Sequence, residues 1–188
     1  YTSDIGVVRW TDIGDLETHD DRPIISGTAI SWNANGLRRR LQDGSLSALI
    51  AKYSPVHIHI TELKSNVMRL GRPWELRLAL SHLGYKWYTF NWATAKNRTT
   101  GISCNGGDWG SAMFSKVRPV SESCGFDNND QDEEGRTIIQ RFENMTVIGV
   151  YQPCTAMDNK SIGEKRQAYD ERLQILVKKE QQRAVPLF

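Results

Sequence analysis

Apolar positions recur along the chain in two different periods. Ala29-Ile30-Ser31-Trp32-Asn33 and Val56-His57-Ile58-His59-Ile60-Thr61 alternate as strands do. Between them Leu37, Leu41, Leu46, Leu49, Ile50 and Tyr53 fall mostly three to five apart, as on one face of a helix. Strand, helix and strand in succession predict a βαβ unit with a right-handed crossover and parallel strands. Asp43-Gly44 interrupts the helical stripe, so a fresh helical start is expected at Ser45, and Pro55 ends the segment. Further on, the pattern predicts a helix over 73–83, an aromatic strand over 85–90 and a polar, glycine-bearing loop over 93–107. A strand is expected over 109–116 and an acidic loop over 127–134. Two alternating runs, 136–142 and 145–151, joined by Glu143-Asn144, read as a β-hairpin. Ser161 with Glu164 forms a capping box for a helix striped by Tyr169, Leu173, Leu176 and Val177. Residues 184–188 look like the start of another strand, which would mean that the natural polypeptide continues.

The parallel pair has a chemical consequence. Its strands end on the same sheet edge, where α/β sheets commonly bind ligands, so Asn33, Asn35 and Glu62 are expected to converge there. One carboxylate beside two amides suits a hard divalent cation and a phosphate. His57 and His59 share a strand face opposite Ile58 and Ile60. No third ligand lies nearby in sequence, which favours structural histidines over a zinc pair.

Composition narrows this picture only slightly. The 188 residues suit a globular domain at 27–188, with residues 1–26, rich in aspartate, expected as an acidic extension ahead of it. A formal charge of +2 neither announces nor excludes a nucleic-acid partner. Cys104, Cys124 and Cys154 lack metal-ligand spacing and fit a reducing compartment, and the sequons at Asn97, Asn144 and Asn159 are read as chance. An intracellular location is therefore expected: nucleus or mitochondrion in a eukaryote, cytoplasm otherwise. No membrane partner is expected, because no apolar run approaches the roughly twenty residues of a span.

Ile30–Arg38, Ile60–Lys64, Trp109–Lys116, Glu134-Gly135-Arg136, Val150-Tyr151-Gln152-Pro153 and 165–171 (Lys-Arg-Gln-Ala-Tyr-Asp-Glu) occur in series. In order and spacing the series resembles the exonuclease III type of AP (abasic-site) endonuclease, a branch of the endonuclease/exonuclease/phosphatase (DNase I-like) superfamily. The resemblance implies an α/β fold, the first half of a four-layer α/β sandwich. It implies phosphodiester hydrolysis on DNA at abasic sites, with Mg²⁺ (or Mn²⁺) held chiefly by Glu62 with Asn35 at the edge of the metal site. Asn33 is expected beside the scissile phosphate, Tyr151 as a hydrogen-bond donor to it, and Arg38 on the DNA backbone. Read from the residues alone, Arg38, Arg39 and Arg40 suit either a solvated helix start or phosphate contacts, Lys96 and Arg98 either a solvated loop or a phosphate backbone, and Lys64 is a further candidate for nucleic-acid contact.

The chain also departs from that family. Thr61 stands where the family has glutamine, and Cys154 where it tends to have asparagine or glutamine. The segments that supply the family's remaining catalytic groups belong after Phe188. Alone, the first half is expected to leave a broad apolar sheet face open, calling for the remaining half or a partner chain. The competing expectation is a catalytically inactive or split half-domain that serves as a structural or binding subunit.

Overall fold

The computed structural model describes residues 5–9, 27–64, 78, 80–93, 109–126, 133–154 and 160–183, without the side chains of 7–9 and 160–162. Strand β1 (Ile5–Arg9) is followed by β2 (Thr28–Asn33), helix α1 (Leu37–Gln42), helix α2 (Ser45–Tyr53) and β3 (His57–Thr61). Strands β4 (Trp87–Asn91), β5 (Ser111–Ser115), β6 (Ser121–Cys124), β7 (Thr137–Arg141) and β8 (Thr146–Val150) precede helix α3 (Lys160–Gln181). They build one sheet in the order β1-β2-β3-β5-β4 and a second, three-stranded meander in the order β6-β7-β8.

The β2-α-β3 unit has the expected parallel pairing, Ile30 opposite Ile58 and Trp32 opposite Ile60. Those four side chains, with Ala112 and Phe114 of β5, form the face that buries Leu37, Leu46, Leu49 and Ile50 of the two helices. The helical stripe breaks where its pattern does. Gly44 takes a left-handed φ of 75°, and the Asp43 carboxylate accepts the Ser45 N–H at 2.9 Å, so the second helix starts there.

The opposite face of the first sheet is where expectation and structure part. A broad open apolar surface was expected; instead this face carries His57, His59, Thr89, Ser111 and Ser115 and lies buried beneath the second sheet. The residues read as a hairpin, 136–151, fold back with β6 and cover it. Gln140 Nε2 donates to Thr89 Oγ1 at 2.8 Å, Asn91 Nδ2 to the Thr137 carbonyl at 2.9 Å, and Ser111 Oγ to the Gly135 carbonyl at 2.6 Å. Met113, Ile138, Phe142, Met145 and Val147 fill the apolar part of the interface. Helix α3 closes the outer face: Tyr169 hydrogen-bonds Thr137, and Arg141 grips the buried Glu180 carboxylate at 3.0 and 2.6 Å. Helices, sheet, sheet and helix are therefore already four layers within this span. Large exposed apolar side chains among the described residues are Ile5, Leu78, Leu83, Val120 and Ile175, none of them on the inner face.

Two further expectations need correction or trimming. Ile5–Arg9 is no extension ahead of the domain; it pairs antiparallel with β2 along its whole length, Val7 opposite Ile30. So short a run, interrupted by Gly6, shows no period of its own and is a strand only because β2 offers it an edge. Strand β6, Ser-Glu-Ser-Cys, likewise has no apolar alternation and is a strand by its pairing with β7. Of the helix expected over 73–83, residues 78 and 80–82 are described and helical. The loop over 93–107 falls largely outside the described residues, as does the segment 184–188.

Gly135 shows how closely the sheets approach. Its φ is 63°, and a Cβ there would lie 2.3 Å from the Asn91 carbonyl oxygen, which is backbone and cannot swing away. Gly135→Ala is expected to lose about 3 kcal/mol, the left-handed penalty plus overpacking. Urea denaturation of the variant checks this, and an unchanged midpoint would refute it.

Candidate active site

The site grows from the ends of β2 and β3. Beyond the strands the backbones stay tied together: the carbonyls of Thr61, Glu62 and Leu63 accept the N–H groups of Ala34 (3.1 Å), Gly36 (2.8 Å) and Leu37 (3.0 Å). This forces both turns into an unusual shape. Asn35, Glu62 and Lys64 all have left-handed φ, 48°, 53° and 46°, which leaves Ser54 as the one other described non-glycine residue there. For glutamate and lysine that conformation costs energy, and strain of this kind concentrates at functional sites.

Its result is to aim Glu62 across the edge. Oε1 accepts two hydrogen bonds, from Asn33 Nδ2 at 2.8 Å and from the Tyr151 hydroxyl at 2.9 Å, although Tyr151 lies 89 residues away. Oε2 faces the Lys64 ammonium at 3.6 Å. Asn33 is itself fixed, its Oδ1 accepting the Asn35 N–H at 3.1 Å. Burial, reinforced by the hydrogen bond to Glu62, pushes the Tyr151 phenol up to about 12. At neutral pH it therefore keeps its proton and acts as a donor.

The structure thus brings Asn33, Glu62, Tyr151 and Lys64 together, with Asn35 on the exposed turn beside them. Arg38 and Arg39 stand exposed on α1. Arg40 is occupied within the fold: its Nε donates to the Ala34 carbonyl at 2.8 Å and its guanidinium lies 5.9 Å from the Trp32 ring centre. Lys96 and Arg98 lie outside the described residues. His57 and His59 point away from this edge, into the space between the sheets.

Sequence reasoning left out a group packed directly behind Tyr151. Arg136 lies between the rings of Trp109 and Tyr151, 5.8 and 4.7 Å from their centres, and its Nε meets Glu134 Oε2 at 2.6 Å. Lys165 of α3 pairs with the other Glu134 oxygen. Burial alone would raise the Glu134 carboxyl; the two cations outweigh it and hold the group below the ordinary carboxylate range. The available signal was the run Glu134-Gly135-Arg136, but its partners sit on separate segments with no shared period.

The geometry has recognisable company. No family model matches the chain. The exodeoxyribonuclease of Bacillus subtilis is 27% identical over 158 residues, which cover 84% of this chain and 55% of that protein. Among solved structures, the 3′-5′ exonuclease NExo from Neisseria meningitidis matches with a TM-score of 0.62 at 22% identity, over 82% of this chain and 53% of that one. A Neisseria NExo bound to a product DNA hairpin gives 0.63 at 21% identity over 84% and 54%. An AP endonuclease from Archaeoglobus fulgidus gives 0.60 at 22% identity over 80% and 51%. The chain spans about half the length of each of these relatives. No helix among the described residues is long and apolar enough to cross a membrane. By likeness to those solved structures the chain shares their fold, an α/β architecture of the DNase I-like type.

Proposed function

We propose that the chain is part of a Mg²⁺-dependent phosphodiesterase acting on DNA, an AP endonuclease and 3′-exonuclease of the exonuclease III type that works in repair. The observation that carries this reading is the Glu62 carboxylate, presented from a strained turn with two donors on one oxygen. The residues fit the metal. Mg²⁺ wants oxygen ligands and keeps several waters, so a single protein carboxylate anchors it. Glu62, with Asn35 at the edge, would hold the ion, and Oε2 is the oxygen without a short hydrogen bond to Asn33 or Tyr151. A divalent cation there supplies charge neutralisation for the phosphoryl oxygens.

The chain's own groups do the rest. Tyr151 and Asn33 hold Glu62 Oε1 in place before substrate arrives, the phenol with its single proton and the amide with one of its two, so that the second Asn33 N–H can be turned to a phosphoryl oxygen beside the cation site. Lys64 would add a positive charge beside the phosphate, and Arg38 and Arg39, exposed on α1, would supply contacts to the duplex backbone.

A nicking assay on the full-length protein tests the proposal, with a duplex carrying one abasic site and a duplex with a recessed 3′ end. Cleavage is expected with Mg²⁺ and none with EDTA. Absence of Mg²⁺-dependent cleavage of either substrate would overturn the reading. Tyr151→Phe removes one of two donors to Glu62 Oε1 and is expected to lower kcat about a hundredfold with KM little changed. Equal kcat values in the variant and the wild type would exclude a role for the hydroxyl.

A further inference from the structure

Tyr151 sits just beyond β8, in a segment that belongs to no sheet ladder, yet its hydroxyl must reach Glu62 across the interface. Two arginines from distant parts of the chain hold that segment. Arg136 Nη1 donates to the Tyr151 carbonyl at 2.9 Å, its guanidinium lies against the Tyr151 ring, and its own carbonyl accepts the Tyr151 N–H at 2.8 Å. Backbone and ring of one residue are gripped by one planar group. Arg166, on α3, donates from Nη1 to the Pro153 carbonyl at 3.0 Å and is itself clamped by Asp170 at 2.9 and 2.7 Å.

This arrangement is more than ordinary packing. The Arg136 side chain is only 8% exposed and its orientation is set by the half-buried Glu134, which Lys165 holds from the other side. A guanidinium can do both jobs at once because it is flat and carries donors in a fixed fork; an ammonium is a point charge and cannot. Precision matters at this position, because a misplacement of about 1 Å at a reacting centre costs on the order of a hundredfold in rate.

We propose that Arg136 is a positioning residue for Tyr151, fixing the hydroxyl on Glu62 through its joint hold on the Tyr151 carbonyl and ring, with Arg166 bracing the same segment at Pro153. The catalytic part of this rests on the phosphodiesterase reading above; the geometric part does not. Arg136→Lys keeps the charge that Glu134 requires and removes the fork and the flat face.

The test pairs two readouts in the full-length protein. Tyrosines are labelled with ¹³C at the ζ carbon, and the Tyr151 signal is assigned from Tyr151→Phe. Arg136→Lys is expected to move or broaden that signal while those of Tyr53, Tyr85 and Tyr169 stay in place. In nicking of an abasic duplex, Arg136→Lys is expected to lower kcat tenfold or more with KM unchanged, and less than twofold in a Tyr151→Phe background. An unmoved Tyr151 signal overturns the proposal, and so does the same kcat loss in both backgrounds. If all tyrosine signals collapse because Arg136→Lys fails to fold, Arg166→Lys runs the same test from the other end of the segment. A wild-type protein that does not nick would overturn the phosphodiesterase reading while the Tyr151 signal still decides the positioning.

Discussion

Glu62→Gln in the full-length protein is expected to lose about three powers of ten in kcat at saturating Mg²⁺, with KM for DNA nearly unchanged. The substitution removes one charge and almost no volume. Glu62 is the one carboxylate the described residues place on the strand edge beside Asn33 and Tyr151, so on the proposed reading an amide there would leave the divalent cation with waters and neutral oxygens. Several kcal/mol of transition-state charge stabilisation go with it, and each 1.4 kcal/mol is about tenfold in rate. Folding should hardly change, because glutamine keeps an oxygen to accept from Asn33 and Tyr151, and the turn's left-handed backbone is as strained with either side chain. Glu62→Asp separates reach from charge. It keeps the carboxylate but withdraws it by one methylene from both donors, and a loss of similar size is expected. Titration of Mg²⁺ into each variant should show weakened binding alongside the lost rate. A Glu62→Gln protein that keeps more than a tenth of wild-type kcat would remove Glu62 from the proposed metal site.

Why the pair Asn33 and Glu62 could be placed from sequence, and the rest of the site only in part, has a physical reason. Two alternating strands around one helical stripe fix a parallel pair, and a parallel pair fixes which ends share an edge; nothing else is needed. Tyr151 demands more. It reaches Glu62 only because β7 folds back onto β4 and β5 and brings β8 with it, a packing of one sheet on another that no local period announces. The resemblance to exonuclease III-type enzymes named Tyr151 where periodicity could not. Trp109, Glu134, Arg136 and Lys165 stand in the motif series without a role at the site, since each is unremarkable alone and their pairing exists only once three segments meet. Arg40 fails in the opposite direction. In sequence it is indistinguishable from Arg38 and Arg39, yet helical geometry turns it back toward Ala34, where a carbonyl left over at the strand end takes its Nε. The expectation of an open apolar face erred because β6, β7 and β8 form a second sheet that covers it. Alternation of histidine with isoleucine in β3 already contained the contrary signal, because a face of histidine, serine and threonine suits a polar interface between sheets better than an empty apolar one.

Those histidines make acid the condition to which the fold should be most sensitive. His57 and His59 are 2% and 5% exposed, and burial holds both well below the ordinary imidazole range, to about 3 and about 4; for His57 the neighbouring His59 adds to it. Ser31 Oγ lies 3.2 Å from His59 Nδ1, Phe142 packs edge-on against His57, and Gly149 leaves room for the His59 ring, where a Cβ would come within 2.6 Å. None of these neighbours carries a charge to offset an imidazolium. In the folded protein both rings are neutral at pH 5, whereas in the unfolded chain they titrate near 6.5, so between these values the unfolded state binds more protons. Stability from this source is complete above about pH 6.5 and is lost as pH falls toward the folded-state values. At pH 5 the loss is about 2 kcal/mol per histidine, roughly 4 kcal/mol for the pair, a large share of a typical domain's 5–15. Urea denaturation at pH 7.5, 6 and 5 is expected to show that decline. In a His57→Phe, His59→Gln protein, whose absolute stability is lower at every pH, the decline over the same range should shrink by about that amount, because neither replacement titrates. A decline that stays as steep in the double variant would assign the acid sensitivity to the carboxylates, and one absent from the wild type would mean that the inter-sheet space hydrates the histidines in solution.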